Sequence, residues 1–422
     1  LKSGLYSAVM SAISLGGGAS AGREGPAVHL GATLASQFGK WLDMPARGSR
    51  ILLACGAAAA VSASFNAPVA GALFAFEVVL GHYALRTIAP VASSSIVGAL
   101  IVRHHFGQDP VFGLPEMAAA SVWDFPAAAA LGFAAAGLAI VFNRGAIFLP
   151  ARLGQWMERM HLPVWLLPIP GGLLIGLIAL IAPEILGVGY EATSNALRGE
   201  YAFQQLILFI VLKTVATVLS LGFRFAGGVF SPSMYLGAML GAAFGIALSA
   251  VLGEHTAGPG FFAVIGMGAV SGAVLGAPLS TTLIVFELTT SYEASVAVLL
   301  AVSLATVLSQ SALGGSLFQL QVQRKGYDLS GGSSRLVLQT VRVRDVLVPL
   351  DDWGKSEIPD KTCVFEDDTL GRALGVLDAE QVDGAAVRQR TGEQAIIGWI
   401  AKADAQAAYA RRLAEISEEE HR

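Results

Sequence analysis

Charged positions are spread very unevenly along this chain. Ile51 to Phe76, Phe125 to Asn143, Phe225 to Gly253, Thr256 to Phe286 and Ala294 to Gln323 contain no Asp, Glu, Lys or Arg. Roughly 20 apolar residues suffice to cross the hydrocarbon of a bilayer, and several of these runs are longer than that. They predict an all-α, polytopic membrane region over residues 1–323. Beyond it the pattern changes: Arg324-Lys-Gly-Tyr-Asp328 is polar, and Ser330-Gly-Gly-Ser-Ser334 has the composition of a flexible connection, so residues 324–340 read as a linker. A small α/β domain is expected over 341–422. Leu336 to Val348 alternates branched apolar and polar residues into its start, Thr369 to Leu377 is helix-like, and Ala395 to Ile400 reads as a strand.

Composition supports the membrane reading. Of 422 residues, 54% are hydrophobic and only 14% charged, against roughly 25% charged in soluble domains. A soluble helical protein would need charged outer faces, which these runs lack. The 49 glycines suit helices that approach closely in lipid, where small residues rather than apolar burial allow association. A net charge of -4 implies neither a nucleic-acid partner nor a polybasic lipid anchor. Cys55 and Cys363 stand in unlike surroundings and offer no disulfide framework or metal cluster. No nucleophile and base pair or metal triad points to an enzyme. The chain opens on Leu1 without an initiator Met or signal peptide and is read as truncated at its N-terminus.

The membrane region repeats itself. Gly22-Arg-Glu-Gly-Pro26, followed by Leu30-Gly31-Ala32, Leu34 and Phe38-Gly39, matches Gly228-Val-Phe-Ser-Pro232, Leu236-Gly237-Ala238, Leu240 and Phe244-Gly245 at one offset. Ala67-Pro68, Leu73 and Phe76-Glu77 recur as Ala277-Pro278, Leu283 and Phe286-Glu287. Paired repeats broken by Gly and Pro are the pattern of transport proteins whose interrupted helices meet near the bilayer midplane. Inverted repeats are expected, with function at the repeated motifs.

Each Gly-x-x-x-Pro element precedes an apolar run, and Pro fits the first helical turn, where its missing N–H has no partner anyway. Helix N-termini present free amides and about half a positive charge, so two of them pointing inward make an anion site without a lysine or arginine. Helix breaking for packing alone is the other reading of such motifs. Glu24 is the most informative residue, a carboxylate between Arg23 and Gly25 at one of these termini. An isolated charge at mid-bilayer costs at least roughly 2.5–3.5 kcal/mol, and one helix terminus returns about 0.3–2 kcal/mol. Glu24 is therefore expected to occupy the anion site when ionised and to leave it when protonated or displaced, which is a gate. The alternative is a plain dipole partner or a pair with Arg23. Glu77 and Glu287, at equivalent repeat positions inside apolar helices, fit a structural bond to a neighbouring helix end as well as a proton path.

These residues resemble the CLC chloride channel and transporter family across Leu1 to Gln323. Gly22-Arg-Glu-Gly-Pro26 is similar to the family's GREGP motif, Gly228-Val-Phe-Ser-Pro232 to its GxFxP motif, and Asn66-Ala-Pro-Val-Ala-Gly71 to the segment that follows GREGP. The resemblance implies a homodimer with one anion path per subunit and chloride as permeant ligand. It makes Glu24 the gating glutamate, and Gly22, Arg23, Gly25, Gly228, Val229, Phe230 and Phe318 the anion-binding positions. The family's GSGIP motif, with its pore serine, would precede Leu1. Phe318 stands where many members place the pore tyrosine, which removes a hydroxyl. Val78 aligns with the inner proton-transfer glutamate and cannot titrate, so a passive channel is expected, with a proton-coupled antiporter using Glu77 as a possible relay as the alternative. The intact Gly25-Pro26 speaks against the fluoride-exporting branch. The tail resembles a single CBS domain, through Val341-Arg-Val-Arg-Asp-Val-Leu347, Asp367-Asp-Thr-Leu370 and Ile396-Ile-Gly-Trp-Ile400 leading to Asp404, which implies an adenine nucleotide as a possible ligand. The expected location is the bacterial inner membrane, with the C-terminus cytoplasmic and the lipid bilayer and a second copy as partners. A non-transporting membrane sensor built on the CBS-like domain is the remote alternative.

Overall fold

The structure is a computed structural model, and it describes residues 1–107, 112, 121–161, 163–253, 256–327, 332–349, 362–390 and 395–421. The chain divides into two compact units, Leu1–Leu320 and Gln321–Arg422. The first is helical: α1 Lys2–Gly16, α2 Glu24–Trp41, α3 Ala46–Phe65, α4 Pro68–Phe74, α5 Leu85–Phe106, α6 Asp124–Arg159, α7 Pro168–Ala179, α8 Tyr190–Leu197, α9 Phe203–Gly222, α10 Phe230–Leu252, α11 Pro259–Leu275, α12 Pro278–Thr289, α13 Tyr292–Leu313 and α14 Leu317–Arg324. A π-helical turn, Ala75–Leu80, continues α4. By length and composition, six helices of the described chain are able to cross a membrane.

The long neutral runs are broken in ways that residue chemistry explains. Ile51 to Phe76 is interrupted by Asn66, which ends α3 in a left-handed conformation (φ 55°) before Pro68 starts α4. Gly276 (φ 74°) and Pro278 do the same between α11 and α12. A left-handed cap followed by proline cannot continue a helix. Two inverted repeats result, α2–α3–α4 and α10–α11–α12. In each repeat the first two helices pack through glycines. A Cβ on Gly56 would strike the backbone of Gly31, and one on Gly237 would strike that of Gly266.

The halves also exchange caps. The Glu77 carboxylate accepts from the α12 amides of Leu279 (3.0 Å) and Ser280 (2.8 Å) and from the Ser280 hydroxyl (2.5 Å). Glu287 accepts from the α4 amides of Val69 (3.0 Å) and Ala70 (2.8 Å). Each carboxylate thus supplies acceptors to the orphan donors of the other half's broken helix. Reciprocal contacts of this kind are what a two-fold relation between the halves produces.

In the second unit, a four-stranded sheet runs in the order β1-β4-β3-β2, with β1 Val348–Pro349, β2 Cys363–Phe365, β3 Gly384–Arg388 and β4 Ile396–Ala401. β2 and β3 are parallel, joined through α16 (Leu370–Ala379), and the other pairings are antiparallel. The expected linker is only partly so. Asp328 to Gly331 lie outside the described residues, whereas Gly332–Thr340 forms helix α15, overturning both the loop reading there and the strand-like reading of Leu336 to Thr340. Val337 and Leu338 pack on that helix's inner side at i, i+1 spacing, which alternation alone misreads. A last helix, α17 Lys402–His421, closes the unit.

Candidate functional site

α2 begins at Glu24 with Pro26 in its first turn, and α10 at Phe230 with Pro232 in the same place. Just ahead of them, Gly22 and Gly228 pair antiparallel: the Gly22 N–H donates to the Gly228 carbonyl (2.7 Å), and the Gly228 N–H to the Gly22 carbonyl (2.6 Å). This stitches the two helix starts together. The approach requires glycine, since a Cβ on Gly25 would lie 3.2 Å from Gly228 Cα and one on Gly228 would lie 2.9 Å from the Gly25 nitrogen.

That pairing involves two of the expected anion-binding positions. The amides of Gly22 and Gly228 are committed to each other. First-turn amides have no helical acceptor, and the residues that carry them beside the pairing, Gly25, Val229 and Phe230, line a cavity of about 340 Å³ together with Gly228, Glu24, His29, Val78 and Phe318. Its wall is otherwise aliphatic and aromatic, so charges and dipoles act there through a low dielectric.

Glu24 is 3% exposed. Its Oε1 accepts a hydrogen bond from the Tyr190 hydroxyl at 2.8 Å, while its Oε2 is buried with no donor among the described residues. A buried carboxylate oxygen left unsatisfied is costly, and such a group asks for a functional explanation. Arg23 does not line the cavity. Its Nε stands 3.9 Å from Glu24 Oε1, and its guanidinium lies 5.0 Å from the Tyr190 ring centroid. Phe318, at the start of α14, offers the cavity a ring and no hydroxyl.

Val78 stands on the cavity wall and Glu77 does not, because the carboxylate of Glu77 is held in the α12 cap. Both Glu77 and Glu287 make the bond to a neighbouring helix end that one of their two readings expects.

Two further residues were not singled out from the sequence, one bonded to Glu24 and the other to the turn that precedes α8. Tyr190 opens α8 after Gly189, whose φ is 83°. Lys213 in α9 is fully buried, donating to the carbonyls of Ile185 and Gly187 at 2.9 Å each. A lone lysine inside an apolar 20-residue helix is a signal that sequence offers, since intramembrane charges are functional candidates by default. Tyr190 offers none, because nothing in its local pattern points at Glu24.

A family profile described as "Voltage gated chloride channel" matches residues 1–310. A ClcB-like chloride channel protein from Ralstonia nicotianae is 36% identical over 304 residues, covering 71% of this chain and 70% of that protein. An H(+)/Cl(-) exchange transporter, ClcA, from Salmonella arizonae is 32% identical over 319 residues, covering 74% and 66%. The chain therefore spans about two thirds of the length of these relatives. The crystal structure of a slow cyanobacterial Cl-/H+ antiporter superposes with a TM-score of 0.65 at 24% identity, over 74% of this chain and 73% of that one. A CLC-type fluoride/proton antiporter superposes with a TM-score of 0.61 at 24% identity, over 72% and 73%. At these identities the superpositions establish the fold.

Proposed function

The chain belongs to the voltage gated chloride channel family, and on that premise we propose that it moves chloride and similar anions across a membrane, gated by Glu24 and coupled to protons. The observation that carries the reading is the burial of the Glu24 carboxylate where the starts of α2 and α10 are stitched together. When ionised, the carboxylate takes the position an anion would take beside these amides. When protonated it loses its attraction to them, and chloride competes for the donors of Val229 and Phe230. Amides allow exit as well as entry, because no full counter-charge traps the ion.

The expectation of a passive channel rested on Val78, and it gives way to exchange. Relatives of this chain carry the name H(+)/Cl(-) exchange transporter, and two proteins sharing its fold are described as proton antiporters. Every departure of Glu24 by protonation takes up a proton, so the gate is itself a carrier. His29 is the second titratable side chain on the cavity wall, so Val78 does not leave that wall without a proton site. Glu77, bound in its cap, is not the relay in this reading. A homodimer in a bacterial inner membrane, with the second unit in the cytoplasm, completes the proposal.

The test is reconstitution in liposomes under an imposed chloride gradient with a potassium shunt, following chloride and internal pH together. Uphill proton movement in fixed ratio to chloride is expected. Chloride flux with no proton movement would return the protein to the channel reading.

A further inference from the structure

We infer that Tyr190 is the latch of this gate, a positioning residue whose hydroxyl holds the ionised Glu24 in its seat. The inference rests on the gating role proposed for Glu24. The contact joins residues 166 positions apart at 2.8 Å, so it exists only because α8 is brought against the start of α2. The tyrosine ring is held on more than one side. The Arg23 guanidinium lies 5.0 Å from its centroid, and the Phe112 ring meets it edge-on at 5.3 Å and 82°. A ring fixed in this way presents its hydroxyl with little rotamer freedom left to lose.

The turn ahead of Tyr190 is held just as firmly. Lys213 clamps the carbonyls of Ile185 and Gly187 from beneath, with its Nζ 4.9 Å from the Tyr235 ring centroid. Gly189 passes so close that a Cβ there would lie 2.6 Å from the Tyr235 ring and 3.4 Å from the Lys213 nitrogen. No salt bridge joins Lys213 to a carboxylate among the described residues. A buried ammonium is an expensive way to fill space in a membrane helix, and here its donors go to the backbone that leads into Tyr190.

The latch distinguishes charge states. A hydroxyl donating to a carboxylate makes a charge-assisted bond roughly twice as strong as the same bond to a neutral carboxyl. Tyr190 therefore stabilises the seated, ionised Glu24 and releases the protonated one. Among the described residues, the charged and titratable groups that face the gate are Arg23 from its own turn, Tyr190 from α8, and His29, which shares its cavity.

The experiment is chloride flux against pH in liposomes for the parent, Tyr190→Phe, Glu24→Gln and the double variant. Tyr190→Phe keeps the ring and its packing. Losing the charge-assisted bond shifts the gate equilibrium by about tenfold, so the flux profile should move about one unit towards alkaline pH. In the Glu24→Gln background, Tyr190→Phe should change nothing further. An unmoved profile in Tyr190→Phe overturns the latch while leaving the gate standing, provided Glu24→Gln abolishes the pH response. A shift that persists in the double variant also overturns it, because the hydroxyl would then act through packing. A parental pH response in Glu24→Gln removes the gate and the latch together.

Discussion

The two oxygens of Glu24 have different fates, one bonded to Tyr190 and one buried without a donor among the described residues. The gating role proposed for Glu24 gives the first prediction. Glu24→Gln mimics the protonated gate, so chloride flux should lose most of its dependence on pH; a flux profile identical to the parent's would exclude Glu24 as the gate. Lys213→Met should preserve the volume of α9 while freeing the carbonyls of Ile185 and Gly187, and the expected result is a gate profile shifted in the direction that Tyr190→Phe shifts it. In the second unit, Arg390 grips Asp367 through both carboxylate oxygens (2.7 and 2.8 Å) and Asp368 at 2.6 Å. The hydrogen bond from Arg390 holds the Asp367 carboxyl below its ordinary range. A depressed carboxylate contributes stability above the unfolded-state value of about 3.9 and loses it as pH falls through the folded-state value. Arg390→Gln should therefore destabilise this unit at neutral pH, and the difference from the parent should vanish in strong acid, as urea melts at several pH values would report.

At the scale of elements, the exchanged caps decide how the broken helices survive in lipid. The orphan amides of α4 and α12 have no acceptor within their own helices, and each set finds a carboxylate from the opposite repeat. Replacing Glu77 or Glu287 with Ala should cost a similar amount in each case, about 0.5–2 kcal/mol by analogy with other helix caps, measured as thermal unfolding in detergent. Glu77→Gln should leave the ratio of protons to chloride unchanged, and a lost ratio would restore Glu77 as the relay. The close glycine contact of α10 with α11 predicts that Gly237→Val displaces one helix from the other. Overpacking of this kind typically costs about 1–3 kcal/mol, and loss of a monodisperse species on size-exclusion chromatography would report it. The sequence anticipated these breaks because Asn66-Ala-Pro68 and Gly276-Ala-Pro278 cannot propagate a helix whatever surrounds them. It misread Leu336 to Thr340, where a short amphipathic helix and an alternating strand look alike.

For the whole molecule, the two repeats meet at the paired glycines and at the exchanged caps. Exchange predicts that protons driven uphill by chloride disappear together with the gate in Glu24→Gln, while passive chloride flux persists. The sequence by itself determined the membrane class, the repeat, and the helix starts at Glu24 and Phe230. Those follow from local chemistry: runs without charge, and prolines that open helices. Only the tertiary structure paired the amides of Gly22 and Gly228 with each other's carbonyls, across 206 positions. It alone sent Glu77 to a helix cap and left Val78 on the cavity wall, since adjacent residues of a helix turn point in different directions and only the neighbouring half shows which direction is occupied. It alone brought Tyr190 to Glu24 and Lys213 to the turn before Tyr190, contacts between side chains distant in sequence whose local patterns carry no trace of one another.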